Sequence, residues 1–192
     1  MIRKFEFCKT EIPGALEINS FNNDDLRGSF TKDYSREIFA ENGIKHELEE
    51  VFYTTNHKGV LRGMHFQREH QQPKLVRCIS GHVYDVIVDL RPESPTFKKW
   101  LGFDLIGEKC NELLVPGGCA HGYLALETSI VAYKCAEKFY PEFDSGIVWN
   151  DPDISIDWQL EKIGGEDKLI IAEKDKKMQS FREFIDRYGG LK

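Results

Sequence analysis

Two histidines, a lysine and a tyrosine are the residues here best suited to moving protons. The stretch Gly59-Val-Leu-Arg-Gly-Met-His-Phe-Gln67 sets Arg62 and His65 on or beside a strand. His65 and Gln67 share a face if that strand is regular. Lys74 follows His65 by nine residues. Pro116-Gly-Gly-Cys-Ala-His-Gly122 puts His121 at the end of a glycine-rich turn before a strand. Tyr133-Lys134 sits on a later strand, and Glu173-Lys174-Asp175 lies near the C-terminus. Imidazole titrates close to neutral pH and so suits general acid–base work. Each residue also has a bland alternative: a structural histidine, a core tyrosine with its hydroxyl satisfied, a solvated charge run. Strict alternation puts Arg62 and His65 on opposite faces of their strand. A bulge at Gly63 would bring them to one side.

Other chemistries find less support. A metal-binding strand would offer His-x-His with a Glu soon after, whereas this one reads His65-x-Gln67, and glutamine is a poor ligand for zinc or ferrous iron. Neither GxxxxGK[ST] nor GxGxxG is present to cradle a phosphate, and no GxSxG elbow appears. No metal or cofactor is expected.

These residues must be held by a mostly β scaffold. Residues 75–90 read LVRCISGHVYDVIVDL, two β-branched runs broken at Ser80-Gly81, which predicts a hairpin. Further short strands are expected at 60–66, 100–105, 112–115, 122–126 and 130–135, a spacing that suggests a sandwich or barrel. Tyr34 to Asn42 reads as a short helix capped by Gly43. After Asp157 the character turns helical: Phe181, Phe184, Ile185 and Tyr188 fall on one helix face.

The chain has 192 residues, 41% of them hydrophobic and 30% charged, enough for a buried core in one domain spanning residues 1–192. Its net charge of −6 argues against general nucleic-acid binding, which wants a basic surface. No apolar run approaches the roughly 20 residues of a membrane span, and the N-terminal stretch carries acids where a signal peptide needs its apolar core. The five cysteines include no CxxC pair, so reduced thiols in a cytoplasmic protein are the expectation.

Taken together, GVLRGMHFQ, KLVRCISGHVYDVIVDLR followed by SPTF, PGGCAHGYLAL, YKC and SGIVWNDPDISIDW resemble the dTDP-4-dehydrorhamnose 3,5-epimerase family, in that family's order and spacing, from about Arg27 to Asp175. The resemblance implies an all-β fold, the cupin-type double-stranded β-helix or jelly-roll barrel with short flanking helices, usually assembled as a homodimer. It also implies cofactor-independent epimerisation at C3, C5 or both of a nucleotide-linked 4-keto-6-deoxyhexose. The C4 ketone acidifies the neighbouring protons. A base on one face removes one and an acid on the other returns one. By resemblance His65 is the base, Asp175 the carboxylate that orients it, Lys74 the cation near the C4 oxygen, and Tyr133 the acid. His121 lines the sugar site. Arg27, Arg62, Gln67, Phe139, Asp144 and Lys174 contact the substrate, with Phe139 where the family stacks a tyrosine on the base.

Two departures touch the substrate rim. Lys32 stands where the family has a glutamate, and Glu50-Val51-Phe52 where it has Gln-Asp-Asn. Their loss of polar partners predicts that dTDP-4-keto-6-deoxyglucose is not the best substrate. The rivals are a 3,4-ketoisomerase sharing fold and enolate chemistry, a non-catalytic sugar-nucleotide-binding cupin, and a metal-dependent cupin.

Overall fold

The backbone of the site is a bulge. The computed structural model describes residues 2–192. In chain order the strands are β1 (Ile2–Arg3), β2 (Glu6–Lys9), β3 (Leu16–Asn19), β4 (Phe21–Asp25), β5 (Gly28–Lys32), β6 (Glu50–Asn56), β7 (Val60–Gln67), β8 (Lys74–Ser80), β9 (His82–Asp89), β10 (Trp100–Ile106), β11 (Asn111–Val115), β12 (Cys119–Ala125), β13 (Ser129–Cys135), β14 (Asp144–Gly146) and β15 (Ile170–Ile171). The helices are short: α1 (Arg36–Glu41), α2 (Glu173–Lys176) and α3 (Phe181–Tyr188). On β7 and β12, His65 pairs with His121 and Arg62 with Tyr123, so three steps along β7 oppose two along β12. The extra residue at Gly63-Met64 is the bulge the sequence called for, and it turns Arg62 and His65 to the same side. Gly63 has φ +139°, and a Cβ there would stand 2.6 Å from Gly122 Cα on β12. Only glycine fits that approach.

Two six-stranded sheets face each other, one ordered β10-β9-β12-β7-β14 with β15 alongside β7, the other β2-β3-β11-β8-β13-β6. Val83, Ile87 and Tyr123 of the first pack against Val76, Leu113 and Val131 of the second, forming the barrel interior. The outer face of the first sheet is covered by the C-terminal segment, where Met64, Phe66, Val86 and Leu124 meet Trp158, Phe181 and Phe184. The chain is a double-stranded β-helix of the cupin type. Being buried on both faces explains why β9 reads as a nearly unbroken apolar run. It also explains why the expected hairpin does not form. β8 and β9 lie in different sheets: β8 pairs with β11 and β13, β9 with β10 and β12. Gly81, at φ +81°, carries the chain across from one sheet to the other. His121 likewise lies inside β12 rather than at the end of the turn before it.

α3 begins and ends as the sequence signals it should. Ser180 and Glu183 form a capping box, and Gly189 closes the helix in the left-handed region. The outer face of the second sheet holds a buried charge cluster. Asp33, just after β5, accepts from Lys134 at 2.8 Å and Arg77 at 3.1 Å. Glu112 beside them is fully buried, and burial pushes its carboxyl up to about 8. The cluster pins the segment after β5 to the barrel.

Candidate active site

Between the facing sheets lies a cavity of about 460 Å³. β7 contributes Arg62 and His65 to its wall, β8 contributes Lys74, β12 contributes His121 and Tyr123, and β13 contributes Tyr133; Lys174 and Asp175 reach it from α2. Inward-pointing residues alternate along each strand, so Lys74, Val76 and Cys78 on β8, and Val131, Tyr133 and Cys135 on β13, follow period two. Asp175 arrives from 110 residues beyond His65. β15 runs parallel to the start of β7, Ile170 beside Val60 and Ile171 beside Leu61, and sets α2 against the bulge.

His65 Nε2 lies 3.2 Å from Asp175 Oδ2, which also takes the Gly63 N–H at 3.5 Å. Burial works to raise the Asp175 carboxyl, but the hydrogen bond and charge of His65 and the Gly63 N–H outweigh it and hold it below the ordinary value. Its side chain is 3% exposed against 26% for His65, so the imidazole faces the cavity with an ionised carboxylate behind it. A second pair mirrors the first. His121 Nε2 sits 3.0 and 2.9 Å from the two oxygens of Asp85, which is wholly buried on β9. Burial pushes the Asp85 carboxyl up, against the pull of His121 and Lys74.

The second sheet supplies the facing groups. Tyr133 is nearly buried, and desolvation, then its neighbour Tyr123, raises its phenol well above the usual value. The Phe52 ring stacks on it at 4.8 Å with the planes 16° apart, and His121 meets it edge-on at 6.0 Å. Burial lowers the Lys74 ammonium, against the opposing pull of Cys135, Asp144 and Asp85. Such a site can take a carbon-bound proton on one face, return one on the other, and hold an oxyanion with a lysine. Among the described residues no group of three His, Cys, Asp or Glu side chains could hold a metal ion.

Of the residues named from the sequence, His65, Lys74, Tyr133, Asp175, Arg62, His121 and Lys174 line this one cavity. Arg27, Gln67, Phe139 and Asp144 do not. Arg27 sits at the β4–β5 turn, side chain 89% exposed and paired with Asp25. Gln67 is buried and braces a loop, donating to the carbonyls of His70 and Lys138 and accepting from the Tyr140 N–H. Phe139 is half exposed on that loop, and Asp144 pairs with Gln67 across β14 and β7. Of these three, Gln67 lies beside Lys74 and Asp144 exerts its charge on it. Three residues escaped the sequence reading: Asp85, Tyr123 and Thr54. For Asp85 a signal existed, since a carboxylate inside Val83-Tyr-Asp-Val-Ile-Val88 lies on the same strand face as Val83 and Ile87.

The sequence pattern described as dTDP-4-dehydrorhamnose 3,5-epimerase matches residues 9–183. A protein of that name from Methanothermobacter thermautotrophicus is 47% identical over 181 residues, covering 94% of this chain and 96% of its own. A crystal structure of dTDP-6-deoxy-D-glucose-3,5-epimerase from Legionella pneumophila, in complex with dTDP-4-keto-L-rhamnose, superposes with a TM-score of 0.87 at 32% identity, covering 93% of this chain and 94% of that one. A 4-keto-6-deoxy sugar epimerase from the novobiocin biosynthetic gene cluster of Streptomyces spheroides gives 0.91 at 28% identity, covering 98% and 94%.

Proposed function

The chain belongs to the dTDP-4-dehydrorhamnose 3,5-epimerase family, an isomerase family, and from that premise we propose that it inverts C3 and C5 of a dTDP-linked 4-keto-6-deoxyhexose through an enolate, without a cofactor. One observation carries the mechanism. An imidazole backed by an ionised carboxylate and a phenol come from opposing sheets onto one cavity. His65 takes the proton beside the ketone, and Asp175 stabilises the imidazolium that forms. Lys74 stabilises the enolate oxygen from the second sheet, assisted by the His121–Asp85 pair on the facing sheet. Tyr133 returns a proton to the opposite face. Arg62 and Lys174 hold the charged part of the substrate at the rim, and Gln67, Phe139, Asp144 and Arg27 are further substrate contacts.

The rim substitutions do not argue for another nucleotide as strongly as the sequence suggests. Lys32 lies outside the cavity lining with its ammonium 5.9 Å over the Phe21 ring, and Phe52 is stacked on Tyr133. The relatives' substrate is therefore taken as this chain's. The test is kcat/KM across dTDP-, UDP-, CDP- and GDP-linked 4-keto-6-deoxyglucose. The dTDP compound is expected to lead by about tenfold or more, the scale of one lost buried polar contact. A higher value for any of the others would overturn the assignment of the base.

We further infer a homodimer that operates in the cytoplasm as a single catalytic domain per chain, with no nucleic-acid or membrane partner. Leu26 and Phe30 on the β4–β5 hairpin, and Val51 and Tyr53 on the edge strand β6, are exposed apolar residues that a second copy would cover. All five cysteines are free, which fits a reducing compartment.

A further inference from the structure

Arg62 reaches the cavity as an exposed side chain on β7, yet one of its nitrogens is anchored to a buried group. Its Nε donates at 2.9 Å to Oδ1 of Asn56, the last residue of β6, which is 1% exposed. Among the described residues no other guanidinium N–H of Arg62 has a hydrogen-bond partner. Asn56 is itself immobilised from three strands. Its Oδ1 also accepts from the Tyr123 hydroxyl on β12 at 3.0 Å. Its Nδ2 donates to Thr54 Oγ1 on β6 at 3.3 Å and to Ser129 Oγ on β13 at 3.4 Å. Two bonds accepted and two donated leave this amide no freedom to turn. Arg62 can only donate, which fixes the oxygen edge of the amide towards it. Arg62 and Tyr123 are register partners across β7 and β12, whereas Asn56 comes from the facing sheet, so the contact bridges the two sheets.

We infer that Asn56 is a positioning residue acting through Arg62: it holds the guanidinium at Nε and leaves the two terminal nitrogens as a fork for the substrate's diphosphate. The inference rests on the reading that Arg62 binds the charged part of the substrate. A free arginine side chain loses rotamers when it closes on an anion, and that loss is subtracted from affinity. An arginine already held at Nε has given up part of that freedom before the substrate arrives. Its terminal N–H groups then meet phosphate oxygens two at a time, in a fixed plane that a lysine ammonium lacks. Packing alone does not ask for an amide at this position. Leucine would fill much the same space and accept nothing. The Tyr123 and Thr54 hydroxyls, 2.8 Å apart, would still pair with each other beside it.

The experiment is a double-mutant cycle on Asn56→Leu and Arg62→Ala. It is read by calorimetric titration with dTDP and by steady-state kinetics with dTDP-4-keto-6-deoxyglucose. Asn56→Leu alone is expected to raise Kd for dTDP and KM for the sugar nucleotide about three- to tenfold, the scale of ordering one arginine, with kcat within about twofold of the parent. Made in Arg62→Ala protein, the same substitution should change Kd by less than about twofold. The titration stoichiometry counts folded sites, and Asn56→Ala, too small to clash, repeats the test where leucine is not accommodated. A parental Kd in Asn56→Leu would show that Arg62 needs no anchor, and an equal loss in both backgrounds would make Asn56 a packing residue. Either result overturns the inference. Arg62→Ala separates this from the reading beneath it: if that variant alone keeps the parental Kd, Arg62 does not bind the charged part, and the role of Asn56 falls with it.

Discussion

Replacing His65 with alanine is expected to lower turnover, and exchange of the sugar C–H protons with solvent, by about 10²–10⁴-fold, the usual contribution of a positioned general base. His65 is the group whose Nε2 is backed by Asp175 at 3.2 Å while its ring faces the cavity. The other cavity histidine does not replace it, because His121 is only about 5% exposed and is engaged by both oxygens of Asp85. Substrate binding should persist, since Arg62, Lys74 and Lys174 are untouched. Folding should persist too: His65 is partly exposed, and the bulge that presents it is set by Gly63 and Gly122 rather than by the imidazole. Stopped assays with the dTDP-linked keto sugar, alongside a thermal unfolding check, measure this. Near-parental exchange in a folded variant would remove His65 from the reaction.

Tyr133→Phe is expected to separate the two half-reactions. His65 and Asp175 remain, so proton removal continues and the enolate is reprotonated from the face it left. Deuterium then enters with retention of configuration, while inversion falls by about 10²-fold or more. Phenylalanine preserves the stacking on Phe52 and the edge contact with His121, so the loss is confined to one hydroxyl. NMR of the product formed in D2O distinguishes retained from inverted centres directly. Inversion at the parental rate would rule out Tyr133 as the acid.

Much of the barrel was legible in the sequence, because strands such as β8, β9 and β13 carry β-branched residues and are bounded by turn residues. What pairs with what was not. Ser80-Gly81 carries a strong turn signal, and a turn is there, yet local chemistry cannot tell a turn within a sheet from one that crosses between two sheets. The strands β2, β4 and β5 went unseen because EFCK, FNNDD and GSFTK lack apolar alternation and owe their form to pairing with their neighbours. In the site, the bulge at Gly63 was readable from the conflict between Arg62 and His65. The His65–Asp175 pair was not readable from local spacing, since 110 residues separate them, and only the ordered set of motifs across the chain pointed to it. Asp85 was missed because a charge in an apolar strand looks like a break in the pattern until the fold shows that it points inward at His121.

The central claim is solvent proton exchange at the carbons flanking the ketone. Incubating the protein with dTDP-4-keto-6-deoxyglucose in D2O, and following C3 and C5 by proton NMR, tests it most directly. The geometry predicts loss of both proton signals, with deuterium at both carbons and inverted configuration in the product. A sugar that binds but keeps both protons would contradict it.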